Sequence, residues 1–498
     1  MNRSIRFTAR RALPVVIGLV AALCAAPGLP AAIADGASAS YVVLYREGAS
    51  TAQAQGTIAA AGGTIVANYS QIGVVIARSD RAGFAAALRG NGNVEGVAST
   101  SRFATRVADT GSGGAAPAIN PAAWGDSLSG QQWDMRQIHV PEAHAINQGS
   151  RSVLAASIDT GLDFTHPDLA PNYDASNSAD CTSGAAQPLA VGNDLSGHGT
   201  HVSGTIAAAA NGTGVVGVAP NVRLAGIRAG NADGFFFPEA VVCAFMWAGT
   251  HGVDVTSNSY FADPWLFNCR NDAEQRAIWK AERRAIRFAQ SNGVLVIASE
   301  GNESTDLSHP RVDVISPDFP PGSEVEREVT NACAVVPVEV PGVVGVTATG
   351  NLRLKSFYSS YGISTADVAA PGGDSILQVT AAAPNGRVLS TFSSVGTICP
   401  PARTVVENGA KYCYLQGTSM AGPHATGVAA LILSSHANLT AGALAARLQR
   451  DTNPLPCPDT SIYDPFPQSD GSPQSCQGGT AHNSFYGAGE VDALKAVG

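Results

Sequence analysis

From Trp133 onward, short apolar segments alternate with helical ones, and this alternation constrains the fold more than any other feature of the sequence. Residues 153–158, 222–227, 253–256, 294–298 and 343–348 are short and almost continuously apolar. That pattern predicts strands buried on both faces. Residues 237–251 and 272–292 predict helices between them. In the second, Ile278, Ala281, Ala285, Phe288 and Ala289 share one face. Arg276, Lys280, Arg283 and Arg287 lie largely elsewhere, and Gly293 ends the helix. Strands alternating with helices argue for an α/β fold, a parallel sheet with helices on both faces. In such sheets, chemistry gathers at the carboxyl ends of the strands.

The chain ahead of this region reads differently. Residues 40–104 are predicted as a small α+β unit: strands at 41–45, 74–77 and 94–97, helices at 49–61 and 80–88, an order that fits a split βαβ fold. Residues 105–123 are rich in Gly, Ala, Ser and Pro and read as an exposed linker, which leaves 124–498 as the main domain. At the start, Arg3, Arg6, Arg10 and Arg11 precede an apolar run over 12–26 and the small-residue site Ala32-Ile33-Ala34. A basic region, a short apolar run and an A-x-A site read as a secretory signal over 1–34, with cleavage as late as residue 39. The run is shorter than the ~18–20 apolar residues of a spanning helix. The expected location is therefore secreted and extracellular, with no membrane association once the signal is removed.

Composition narrows the function classes. Hydrophobic residues make up 45% and charged residues 14% of the 498 residues, which excludes a largely disordered chain. The formal net charge of −9 carries no nucleic-acid signature. Nine cysteines are present and Cys24 leaves with the signal. The remaining eight, in an exported chain without C-x-x-C, predict disulfides rather than a metal site. Proximity favours Cys399–Cys413 and Cys457–Cys476, and the pairing of Cys181, Cys243, Cys269 and Cys333 stays open.

Three segments carry chemistry. Ile158-Asp159-Thr160-Gly161 ends a predicted strand. Gly197-His198-Gly199-Thr200-His201-Val202-Ser203-Gly204-Thr205 sets a histidine among glycines. Gly417-Thr418-Ser419-Met420-Ala421-Gly422-Pro423-His424 leads into a predicted helix. Taken singly, each has an ordinary reading: a turn aspartate, a loop histidine, an N-cap serine. Together they supply an acid, a base and a nucleophile in the order Asp, His, Ser, which excludes the α/β-hydrolase order.

On these segments the chain resembles the subtilisin-family serine peptidases from about Trp133 to its end. The resemblance implies a subtilisin-like parallel sheet preceded by a small prodomain. Asp159, His198 and Ser419 fall on the family's catalytic positions, and Asn302, in Ala298-Ser299-Glu300-Gly301-Asn302, falls on its oxyanion asparagine. It further implies a secreted endopeptidase acting on polypeptide substrates, a monomer, with no cofactor for catalysis and with residues 40–104 as an intramolecular inhibitor. Ser259, Tyr260, Gly301 and Glu303 are expected at the substrate site. Tyr260 or Phe261 would replace a family glycine and narrow the pocket, Glu303 would sit at its rim and attract a basic side chain, and Glu300 stands where the family usually has Ala. Asp168 and Asn211 match family positions for a structural Ca²⁺. His166, His201 and His424 are read as packing or hydrogen-bonding residues, and 302–343 as a surface insertion stapled through Cys333. A catalytically impaired peptide-binding homologue is the alternative from another class. An acid-active sedolisin-like enzyme, with Glu where His198 stands and Asp where Asn302 stands, fits poorly.

Overall fold

The structure, a computed structural model, describes residues 38–100, 114–116, 122–318 and 322–498. The predicted signal and most of the predicted linker lie outside the described residues.

The leading unit runs β1 (Ala39–Tyr45), α1 (Ala54–Ala60), β2 (Thr64–Tyr69), β3 (Val74–Ser79), α2 (Phe84–Arg89) and β4 (Val94–Ser99). Its four strands form an antiparallel sheet in the order β2-β3-β1-β4. Strand alternation splits its apolar residues between two faces. Tyr41, Val43, Val75 and Ala77 pack beneath Ile58, Phe84 and Leu88 of the unit's own helices. Val42, Leu44, Val74 and Ile76 join a core shared with the main body. Both helices begin later than predicted, because local turns compete for the backbone. Ser50 Oγ accepts from Ala52 N, and Ser79 Oγ accepts from Arg81 N.

The main body opens with short helices α3 (Trp133–Gln137) and α4 (Val140–His144), then β5 (Leu154–Asp159), β6 (Ala179–Asp180) and α5 (His198–Ala207). There follow β7 (Arg223–Arg228), α6 (Pro238–Thr250), β8 (Val255–Asn258), β9 (Asn268–Cys269), α7 (Ala273–Ser291) and β10 (Leu295–Ser299). Beyond them lie β11 (Val312–Asp313), β12 (Arg327–Glu328), β13 (Cys333–Ala334), β14 (Val344–Thr349), β15 (Ala366–Pro371) and β16 (Val388–Phe392). The last elements used below are β17 (Thr404–Glu407), β18 (Ala410–Leu415), α8 (Thr418–Ser435) and α9 (Ala441–Arg450).

Seven strands form one parallel sheet in the order β15-β14-β10-β8-β5-β7-β6. All five predicted strands are in it. Along β5, Leu154, Ala156 and Ile158 face the core under α6 and α7, while Ala155 faces the core under α5, α8 and α9. On α7, Ile278, Ala281, Ala285 and Ala289 are buried as predicted, and Asp272 caps the helix by accepting from Glu274 N and Gln275 N, both at 2.9 Å.

The four bridges are Cys181–Cys243, Cys269–Cys333, Cys399–Cys413 and Cys457–Cys476. The proximity pairs are both present. The expectation that 302–343 lies on the surface needs correction. Val329, Val335, Val336, Val338 and Val340 are buried in the α6–α7 core, and β13 pairs with β9 beside the Cys269–Cys333 bridge. Peptide mapping of the unreduced protein is expected to recover these four pairs. Reduction is expected to lower the melting temperature, since each bridge contributes about 2–4 kcal/mol.

Candidate active site

Asp159 ends β5 and His198 begins α5. His198 Nδ1 meets Asp159 Oδ1 at 2.7 Å, with both residues buried. The approach requires glycine at position 199, where a Cβ would lie 2.2 Å from Gly161 O and 3.0 Å from Asp159 Cβ. Asp194 braces the junction. Its Oδ1 accepts from Gly197 N and Thr160 Oγ1, both at 2.8 Å, and its Oδ2 accepts from Thr200 N at 2.8 Å and Thr200 Oγ1 at 2.6 Å. One carboxylate thus ties the end of β5 to the first turn of α5, where a helix favours negative charge.

The second ring nitrogen, His198 Nε2, has no hydrogen-bond partner among the described residues. Burial alone would lower the imidazole pKa. The Asp159 carboxylate, by charge and by hydrogen bond, and the charge of Asp194 outweigh it, so the pKa is raised above the usual value.

Ser419 reaches the same place from the other side. The parallel register pairs Ile158 with Asn258, so Asp159 and Ser259 lie at adjoining strand ends. Ser419 Oγ donates to Ser259 O at 3.4 Å, and Ser259 Oγ donates to Ser419 O at 3.1 Å. Ser419 is the second residue of α8, so its N–H has no acceptor within the helix.

Asn302 stands beside that helix start. Its Oδ1 accepts from Thr418 N at 2.9 Å and Thr418 Oγ1 at 3.1 Å, which leaves Nδ2 as the donor end. A Cβ on Gly417 would lie 3.6 Å from both Asn302 Nδ2 and Ser419 N. The hollow between these two donors is therefore kept open by a glycine, whose φ of 153° also disfavours other residues.

The expected substrate residues divide. Gly301 and Glu303 flank Asn302. The Glu303 carboxyl curls over Gly301 to accept from Ser360 Oγ at 3.3 Å, and burial pushes its pKa up to about 7. Ser259 lies directly behind Ser419. Tyr260 turns inward instead of narrowing a pocket. Its ring stacks on Phe236 at 4.2 Å and its hydroxyl donates to Asn258 Oδ1 at 3.1 Å, so the ring is taken up in core packing. Glu300 is fully buried and accepts from Thr365 Oγ1 at 3.0 Å, and burial raises its pKa well above the usual carboxylate value.

Asp168 and Asn211 come together, but through hydrogen bonds. Asn211 Nδ2 donates to Asp168 Oδ1 at 3.2 Å, and Val215 N donates to Asp168 Oδ2 at 3.1 Å. Burial pushes Asp168 up to about 6. Asn211 Oδ1 accepts from Thr213 N and Thr213 Oγ1. Asp126 accepts from Asn211 N and Gly212 N, and Glu407 from Gly214 N. Calcium takes six to eight oxygen ligands. Here the side-chain oxygens of Asp126, Asp168, Asn211 and Glu407 accept from N–H and O–H groups, and no cluster of three or more His, Cys, Asp or Glu suited to a metal occurs among the described residues.

The other histidines are hydrogen-bonded away from the site. His166 Nε2 faces Lys411 O, His201 Nε2 faces Cys413 O, and His424 bridges Met420 O and Asp134. Burial takes His201 down to about 3, so it is neutral. Sequence reasoning missed Asp194, Thr418 and Ser360. Asp194 stands four residues before His198, and Thr418 lies inside the Ser419 motif, so both were open to notice.

The sequence profile of the Subtilase family matches residues 150–489. The chain is 30% identical to fervidolysin of Fervidobacterium pennivorans over 65% of its length, and 28% identical to the thermophilic serine proteinase of Bacillus sp. (strain AK1) over 64%. It spans 40% and 62% of those two relatives. The crystal structure of the epidermin leader peptide processing serine protease of Staphylococcus aureus shares its fold. The TM-score is 0.66 at 22% identity, covering 93% of this chain and 98% of that one. By sequence, the chain belongs to the Subtilase family.

Proposed function

We propose that this protein is a secreted serine endopeptidase that hydrolyses peptide bonds through an acyl-enzyme on Ser419. The observation that carries the reading is the imidazole of His198. One of its nitrogens is fixed on Asp159 at 2.7 Å and the other is free, beside the strand end to which Ser419 is bonded. His198 Nε2 takes the Ser419 proton as Oγ attacks the substrate carbonyl, and later gives it to the leaving amine. Asp159 holds the tautomer and stabilises the imidazolium. Asn302 Nδ2 and Ser419 N–H receive the oxyanion. No cofactor is needed for these steps.

One observation favours the alternative, a peptide-binding homologue without turnover: Ser419 Oγ donates to Ser259 O and not to the imidazole. That bond, at 3.4 Å, lies near the outer limit of hydrogen-bond geometry. Catalytic hydrogen bonds are commonly long or misaligned until substrate is bound, so the active reading is preferred.

The leading unit is proposed as a removable prodomain that assists folding and blocks the cleft, with cleavage in 104–123. Its docking supports this role. Val42, Leu44, Val74 and Ile76 pack into the α6–α7 core, Tyr69 Oη donates to Gly184 O at 2.7 Å, and Glu95 pairs with Lys280 and Arg284. Secretion is supported by the signal-like start and by four disulfides, which suit an oxidising compartment. No helix among the described residues is long and apolar enough to cross a membrane. The mature enzyme is proposed to act as a monomer on polypeptides.

A fluorophosphonate is expected to label Ser419 in processed protein and to leave Ser419→Ala unlabelled. Absence of labelling in the parent protein decides for the binding homologue. Asn302→Ala is expected to lower kcat by about 10²–10³, the figure known for such a donor in subtilisin itself. Asp159→Asn removes the charge that raises the His198 pKa. The acid limb of the residual pH–rate profile is then expected to move to lower pH, with kcat reduced about 10⁴-fold. Added in trans, the isolated leading unit is expected to inhibit the mature enzyme, and Glu95→Ala to weaken that inhibition about fivefold, as for a partly exposed ion pair.

A further inference from the structure

Four cations stand in one stripe of α7, the helix against which the leading unit docks. Lys280, Arg283, Arg284 and Arg287 are spaced i, i+3, i+4 and i+7, so they share a face. Like charges one turn apart repel, and the stripe holds two such pairs. The first pair is matched. Glu95 of β4 bonds Lys280 with one carboxylate oxygen and Arg284 with the other, the latter at 3.0 Å. Arg284 also donates to Tyr45 O at 2.8 Å and to Ile72 O at 3.2 Å. The second pair, Arg283 and Arg287, makes no ion pair with a carboxylate among the described residues. The Arg283 guanidinium lies 5.0 Å from the centre of the Trp279 ring, and its Nε is buried with no hydrogen-bond partner among the described residues.

These side chains form one wall of a cavity of about 610 Å³. The other wall belongs to the leading unit: the turn after β1, with Arg46 and Glu47, and the turn between β2 and β3, residues 70–73. Arg46 is held there by its Nε, which donates to Gly92 O at 2.8 Å. Glu47 is the single carboxylate among the lining residues. With Glu95 counted, two carboxylates face five cations, in a chain whose formal net charge is −9. Burial, and then the charge of Arg287, lower the Arg283 pKa, while Glu47 opposes them. A guanidinium nevertheless keeps its charge, and its planar fork of donors matches phosphoryl oxygens. A cavity of this size is in the range that holds small ligands. Two guanidiniums one turn apart, with a third on the facing wall, suit a short run of linked anionic groups better than a single one.

We propose that this seam is a binding site for a small oligophosphate, an anion of two or more linked phosphoryl groups, held by Arg283 and Arg287 of α7 and by Arg46 of the leading unit. The main body supplies one wall and the leading unit the other, so the complete site exists only while the two are docked. By mass action the bound anion fastens the leading unit in place. On the prodomain reading above, on which this consequence rests, the anion delays release of the inhibitor and prolongs latency. None of Asp159, His198 and Ser419 lines the cavity, so the anion acts through docking and not on the reaction.

The test titrates sodium tripolyphosphate into the full chain carrying Ser419→Ala, which keeps the leading unit attached, by calorimetry at fixed ionic strength. Saturable binding at one site is expected. Arg287→Ala and Arg46→Ala, at exposed positions on the two walls, are each expected to weaken it about tenfold or more. Arg450→Ala, which removes one positive charge from α9, is expected to leave it within about twofold. Processed enzyme, which lacks one wall, is expected to bind about tenfold more weakly or worse. With the anion at about ten times its Kd, amide exchange in β1–β4 of the full chain is expected to slow about tenfold. Sodium chloride acts in the opposite direction, because it screens the Glu95 pairs. Sulfate bound as tightly as tripolyphosphate, or binding that survives both arginine variants, would show only a general attraction of anions and overturn the site. Equal binding by processed enzyme, or unchanged exchange in the leading unit, would overturn the bridging. A parent chain that never sheds its leading unit refutes the prodomain reading instead, and titration of the full chain still decides the site.

Discussion

The hydrogen bond between Asp159 and His198 joins the end of a strand to the beginning of a helix, and the surrounding structure is arranged to make that approach possible. The parallel sheet brings the carboxyl ends of β5 and β8 side by side, one ending in Asp159 and the other leading into Ser259. Helix α5 can start within bonding range of β5 only because position 199 carries no side chain and Asp194 satisfies donors from both segments. Helix α8 then arrives with Ser419 against Ser259 and with its first N–H spent on Asn302. A carboxylate, an imidazole and a hydroxyl remote in sequence thus gather at the carboxyl end of two central strands, and the amide-lined hollow beside them follows from the same helix start.

Much of this was legible in the sequence, for a physical reason. The groups proposed as catalytic sit in local backbone settings that need particular neighbours: small residues around His198, a helix start at Ser419, a strand ending in a Gly-Asn turn at Asn302. Such settings leave contiguous motifs. The five inner strands were legible because burial on both faces demands unbroken apolar runs. The edge strands were not. Ala366–Pro371 offers mainly alanine, and Thr64–Tyr69 is half-exposed, so neither has a strong pattern. Partners set by tertiary approach were also hidden. Nothing local marks Ser360 as the donor to the Glu303 carboxyl. Tyr260 could be placed on the substrate strand, but not on the face that meets Phe236.

Two departures from family expectation have a common cause, namely that buried polar groups must find partners. Glu300 would be costly as a charge inside the sheet. Burial raises its pKa well above the usual carboxylate value, and its Oε2 accepts from Thr365 Oγ1. The loop after α5 turns its backbone N–H groups toward Asp126, Asp168 and Glu407. Those carboxylates accept protein donors where the resemblance suggested an ion.

The most direct test is a crystal structure of the processed protein carrying a phosphonate on Ser419. The phosphonyl oxygen is expected within about 3 Å of both Asn302 Nδ2 and Ser419 N, with His198 Nε2 within hydrogen-bond reach of the adduct and Nδ1 still on Asp159. An adduct whose oxygen meets neither donor, or an imidazole withdrawn from both Ser419 and Asp159, would contradict the account.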